Sequence, residues 1–129
     1  MTRANLEHFV YTLKHKKAFL HVEKRLLGKN TLKGYLHDMD KLFFYLFTPL
    51  SVKTIKKIHC CIASHQIEYK GEVDFVQLVI DWESGRLTKK DKSQTAYEWL
   101  VTAEPQAIED VLPVIKKLGI DILSPMCYN

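Results

Sequence analysis

No run of apolar residues in this 129-residue chain approaches the roughly 18 that a membrane-spanning helix needs. The opening Met1-Thr2-Arg3-Ala4-Asn5 leads straight into an amphipathic pattern and carries no signal-peptide core, so no membrane partner and a cytoplasmic location are expected. Cysteine is scarce: there are three, two of them adjacent at Cys60-Cys61. That number makes no self-contained disulfide framework and suits a reducing compartment, with the adjacent pair read as packing. Internal repeats and low-complexity segments are lacking. Charge of one sign is not in marked excess either, since 19 basic residues face 15 acidic ones and leave +4. Such a balance permits an anionic ligand without requiring one.

What the chain does have is an ordinary globular composition, 47% hydrophobic and 26% charged, in a length suited to one domain. Apolar residues at Leu6, Val10, Leu13, Phe19, Leu20, Val22 and Leu26 recur near every 3.6 positions, predicting a helix over 5–27 that Gly28 stops. Asn30 or Thr31 can cap a second helix running to Phe47, apolar at Leu36, Phe43, Phe44 and Leu46, before Pro49 ends it. Ser51 can cap a third helix reaching Gln66. The run 73–84 reads as a fourth helix, with a buried strand as the alternative because of its β-branched residues, and Gly85 closes it. A charged loop over 86–92 precedes a short helix capped by Ser93 and ending near Val101. A last helix is expected from Glu104-Pro105 to Leu118, interrupted at Pro113 and closed by Gly119. The fold class expected is all-α, a single compact domain of about five to six helices.

Chemistry concentrates at Tyr35-Leu36-His37-Asp38-Met39-Asp40-Lys41. A His-Asp pair supplies an imidazole nitrogen and a carboxylate oxygen, but on a helix the two side chains diverge by about 100°. Further ligands must therefore come from other helices. His8 and His15 are seven apart and share the helix-one face with Tyr11, Phe19 and Val22, which turns His15 toward the core, while His21 lies off that face. His65 aligns with Ile58, Cys61 and Ile62, and His59 falls off that stripe. Asp81 shares a mixed face with Asp74, Gln77 and Leu78, where an inward carboxylate needs a charged or metallic partner. Each of these taken alone also reads as a hydrogen-bonded core histidine or a solvated acid. Together, four segments present His15, His37-Asp38, His65 and Asp81 in the order His, His-Asp, Asp.

That order resembles the HD superfamily of metal-dependent phosphohydrolases, whose Leu-His-Asp-Ile-Gly-Lys segment is similar to 36–41 here. Closer still, His8-Phe9-Val10-Tyr11-Thr12-Leu13-Lys14-His15, His37 to Lys41, His65 and Asp81-Trp82 resemble a small bacterial and phage HD-like family of unknown function. Two departures stand out: Asp40 replaces the small residue usual before the lysine, and 67–72 lacks the additional histidines that relatives place after the position of His65. The resemblance implies an HD-domain-like fold and one divalent ion held by His15, His37, Asp38 and Asp81. It also implies hydrolysis of a phosphorylated small molecule or nucleotide. Imidazole with carboxylate suits Mn, Fe, Co, Ni or Zn more than Ca, and Mg is admitted. Asp38, Lys41 and His65 are the catalytic candidates: Lys41 can reach a phosphate, and His65 can be a ligand, a proton donor or a group supporting a ligand. Arg86 and Lys89 are further phosphate contacts or simply loop residues.

Two other readings remain open. Lys53, Lys56 and Lys57, or Lys89, Lys90 and Lys92, can form a basic surface for nucleic acid or a protein partner on a catalytically inactive scaffold, although no aromatic stacking platform accompanies them. His59, Cys60, Cys61, His65 and Cys127 can be weighed as a structural zinc site, for which their spacing is poor.

Overall fold

The computed structural model describes residues 2–89 and 94–121. Regular structure among them is entirely helical: α1 (Arg3–Leu27), α2 (Leu32–Leu36), α3 (Met39–Phe47), α4 (Val52–Ile62), α5 (Phe75–Gly85), α6 (Ala96–Thr102) and α7 (Ile108–Lys117), with a 3₁₀ turn at Pro105–Ala107. The all-α class expected from the sequence is the class observed, and no helix among the described residues is long and apolar enough to cross a membrane.

Helix α1 begins where the Thr2 side chain accepts the Asn5 N–H at 3.0 Å, and ends where Gly28, at φ 80°, donates its N–H to the Lys24 carbonyl at 2.9 Å. Its inward face carries Thr12, His15, Phe19, Val22 and Glu23 and packs against α3 and α5. Helix α5 is enclosed on most sides, which is why its sequence is apolar in nearly every direction and resembles a buried strand. Ile80 joins Phe19 and Val22, whereas Leu78 and Val79 join Leu100, Val111 and Ile115 of α6 and α7. Burying each such side chain contributes about 1.5–3 kcal/mol, so α5 is fixed from both sides.

Several expected boundaries differ. The expected helix from Thr31 to Phe47 is two helices, because Asp38 adopts the left-handed region at φ 58° and ψ 15°. Aspartate tolerates that region better than most residues. Of the apolar positions that mark this segment, Leu36, Phe43 and Leu46 are exposed and Phe44 is half-buried, while Tyr45 is buried. Helix α4 stops at Ile62, not Gln66, so His65 lies in the following turn. The expected Ser93 cap lies outside the described residues; Thr95 caps α6 in a reciprocal box with Glu98. Helix α7 continues through Pro113, held by the buried Val111 and Ile115 on either side, and does not break there.

The corner before Asp38 is tied down from α1. The buried Glu23 carboxylate accepts Thr31 N–H at 2.9 Å, Thr31 Oγ1–H at 2.7 Å and Gln77 Nε2–H at 3.1 Å. Thr31 in turn caps α2 by accepting Gly34 N–H at 3.1 Å. Lys16 donates to the carbonyls of Tyr35 and His37, the latter at 3.1 Å.

Candidate metal centre

The left-handed turn at Asp38 does what a continuous helix cannot. It swings the His37 and Asp38 side chains toward one another, with His37 Nε2 3.5 Å from Asp38 Oδ2, where a helix would set them about 100° apart. Both residues are 2% exposed. Phe19 supports the His37 ring from beneath, its centroid 3.8 Å away and its plane within 13°.

His15 from α1 and Asp81 from α5 complete one group. Asp81 Oδ1 lies 2.7 Å from His15 Nε2 and 3.0 Å from His37 Nε2, and the two imidazole nitrogens are 3.5 Å apart. Asp38 Oδ2 is 3.5 Å from His37 Nε2 and 4.0 Å from His15 Nε2. The four residues singled out in the sequence thus present ligand atoms all within 4.8 Å of one another, a group that could hold a metal ion.

A second group was not legible. His59, expected off the packed stripe of its helix, is buried, and its Nε2 lies 3.0 Å from His65 Nε2. Asp38 Oδ1 is 3.1 Å from His59 Nε2 and 3.2 Å from His65 Nε2, yet accepts no well-directed hydrogen bond from either. Asp38, His59 and His65 therefore form a second triad that could hold an ion. The available signal was the spacing of Ile55 and His59, four apart and both buried; the competing stripe of Ile58, Ile62 and His65 pointed elsewhere. One ion was expected, and the chain offers two adjacent ligand groups that share Asp38. His65 belongs to the second of them. His8, by contrast, stands 5.9 Å from the Tyr45 ring and in neither group, and His21 is exposed.

The donor set fits divalent ions. Bonds of about 2.1 Å at right angles put neighbouring donor atoms about 3.0 Å apart, and the second triad has edges of 3.0, 3.1 and 3.2 Å. Buried Asp38 Oδ1, without a directed hydrogen bond between two imidazole nitrogens, is a lone-pair donor placed where a cation would satisfy it.

Electrostatics point the same way. Burial alone would raise the Asp81 pKa, but hydrogen bonds from His15 and His37 and their charge hold it well below the usual carboxylate range. Burial likewise opposes ionisation of Asp38, and His37, His59, His65 and Lys41 together keep it well below that range. Burial depresses His15 and His59, yet their carboxylate partners raise both overall, whereas burial wins at His37 and lowers it.

A cavity of about 370 Å³ opens on the centre through His15, His59 and Asp81. Lys41, Lys56, Arg86 and Lys89 bring positive charge to its wall, and Trp82 and Trp99 bring aromatic surface. Lys41 Nζ is 3.4 Å from Asp38 Oδ2; burial lowers its pKa, but Asp38 and Asp81 outweigh burial and keep it a cation. Arg86 lies beside buried Glu83, 3.5 Å from Nε to Oε2. Of the basic surface weighed from the sequence, Lys53 and Lys57 are exposed on α4, Lys56 and Lys89 border the cavity, and Lys90 and Lys92 lie outside the described residues. The structural zinc reading is not supported among the described residues: His59 and His65 meet Asp38, Cys61 is exposed, Cys60 joins neither ligand group, and Cys127 lies outside them.

Comparison with protein-family models, with curated proteins and with solved structures finds no match.

Proposed function

We propose that this protein is a metal-dependent phosphohydrolase with a two-ion centre bridged by Asp38. The observation that carries this reading is the division of one carboxylate between two ligand groups. Asp38 Oδ2 faces His15 and His37, and Oδ1 faces His59 and His65. Asp81 supplies the second negative charge to the first group. Two carboxylates could not neutralise two divalent ions, so a centre holding them would keep net positive charge, which suits a phosphate dianion. Divalent ions here supply what such ions ordinarily do, lowering the pKa of coordinated water and neutralising charge that develops on phosphate oxygens.

The protein's own groups orient the substrate. Lys41 holds its proton at Nζ and presents it at the cavity wall beside the centre, where a phosphate oxygen is the natural acceptor. Arg86, steadied by Glu83, borders the same space. Trp82 and Trp99 give the cavity planar surface suited to the base of a nucleotide, and about 370 Å³ suits a ligand of that size. His65 serves as a ligand in this reading, not as the proton donor. The His, His-Asp, Asp order shared with the HD superfamily supports the same chemistry.

The test is metal analysis of purified protein with phosphatase screening of wild type and Asp38→Asn. Asparagine tolerates the left-handed backbone, so the variant isolates the loss of the bridging charge. Expected are bound divalent metal and metal-dependent release of phosphate, reduced at least about 100-fold in the variant. Wild type that neither retains nor responds to any of Mn, Fe, Co, Ni, Zn or Mg would sink the proposal.

A further inference from the structure

We propose that Asp40 is the positioning residue of the second ion site, acting through His59. This inference rests on the two-ion reading above. Asp40 Oδ2 lies 2.7 Å from His59 Nδ1, the shortest polar contact of that imidazole. With Nδ1–H donated to Asp40, the neutral ring has only Nε2 left to offer a cation, and Nε2 is the atom that faces Asp38 Oδ1 and His65 Nε2. A carboxylate behind a ligating imidazole fixes its tautomer and rotation and makes the ring a stronger donor.

The first ion site is built differently. His15 Nδ1 and His37 Nδ1 are buried without a hydrogen-bond partner among the described residues. Ring packing holds those two imidazoles, with Phe19 stacked on His37 and Tyr11 parallel to His15 within 1°. Among the described residues only the second site therefore has a carboxylate-backed histidine, and a change at Asp40 should act on one ion and spare the other. Asp40 also joins α3 to α4, since its own residue lies two positions after the bridging Asp38 while His59 belongs to the neighbouring helix. It stands where the families resembling this segment carry a small residue, so the contact belongs to this chain's version of the motif.

The experiment is titration of the metal-free protein with Mn²⁺ alone, with stoichiometry from equilibrium dialysis and the bridged pair followed by electron paramagnetic resonance. Wild type is expected to take up two ions and give the signal of a coupled pair. Asp40→Ala is expected to bind the first ion with unchanged affinity and the second about 10–100-fold more weakly. Asp40→Asn, which keeps an acceptor for Nδ1–H without the charge, should fall between and restore part of the coupled signal. If Asp40→Ala fails to fold, the Asparagine variant decides the question by the same measurement. A loosened α3–α4 contact without a role at His59 would weaken both ions together, and that result overturns the proposal. Two ions at wild-type affinity in Asp40→Ala overturn Asp40's role and leave the centre standing; wild type that binds fewer than two ions overturns the two-ion reading and Asp40's role with it.

Discussion

The carboxylate of Glu23 occupies the space that a β-carbon would take at Gly34. Glycine at this position is required by a close approach, not by an unusual backbone. In an ordinary helix Gly34→Ala would gain about 1 kcal/mol. Here the added carbon meets a carboxylate already committed to Thr31 and Gln77, and we expect a net loss of about 1–3 kcal/mol. Urea denaturation with an unchanged m-value checks this, and a stabilised variant would show that Glu23 yields without cost.

Phe19 is buried and stacked on His37. Phe19→Leu keeps most of the volume and removes the ring face, so a modest stability loss of about 0.5–1.5 kcal/mol is expected. Affinity for the first ion should drop with it, because His37 loses its support. Calorimetric metal titration separates the two effects; weaker folding with unchanged metal affinity would assign Phe19 to packing alone.

Lys41→Met removes the cation beside Asp38 while retaining an unbranched apolar side chain. Charge-assisted hydrogen bonds are worth about 1.5–3 kcal/mol, so KM for a phosphomonoester should rise by about 10–100-fold with metal content unchanged. An unaltered KM would remove Lys41 from the phosphate site.

The metal-free protein should be most stable at mildly acid pH. The depressed carboxylates Asp38 and Asp81 contribute stability that is present above their unfolded value of about 3.9 and lost as pH falls through the folded values. The raised imidazoles His15 and His59 contribute stability that is complete below about 6.5 and lost as pH rises through their folded values. His37, lowered, offsets part of that second loss. Thermal unfolding after chelation should therefore peak between about pH 4 and 6.5, and added Mn²⁺ should stabilise increasingly as pH rises because its ligands must shed protons. A metal-free midpoint that climbs steadily from pH 6 to 8 would contradict this assignment of shifts.

Much of this architecture was legible in the sequence because periodicity reports burial where a helix packs on one side. Helix α1 is such a case from Thr12 onward, where the face shared with Phe19 and Val22 turned His15 inward, while Leu6, Val10 and Leu13 of the same apolar pattern are exposed. The caps Gly28, Thr31 and Ser51 were legible for the local reason that their side chains or backbone satisfy helix ends. The break at Asp38 was not, since a single left-handed residue leaves no trace in an apolar pattern that runs unbroken from Leu36 to Phe47. His59 was hidden because α4 carries two overlapping apolar stripes, and only packing against α3 decides that Ile55 and His59 face inward while Ile62 remains exposed. The role of Asp40 was not legible either, because its partner His59 is 19 residues away on another helix and only the tertiary fold brings the two together.

Asp38 is the only described non-glycine residue with positive φ, and it is also the residue whose two carboxylate oxygens face separate ligand groups. The bend of the chain and the hub of the donor set therefore share one α-carbon. An insertion or deletion of a single residue between Gly34 and Lys41 would rotate this hub and pull both ligand groups apart together. The same change in α6 or α7, which supply no donor atom, would reach the ligands only through the packing of Leu100, Val111 and Ile115 on α5, the helix that carries Asp81. The molecule accordingly has one end where a change of length strikes the donor atoms themselves and another where it reaches them through the core, and variation tolerated across the chain should divide along that line.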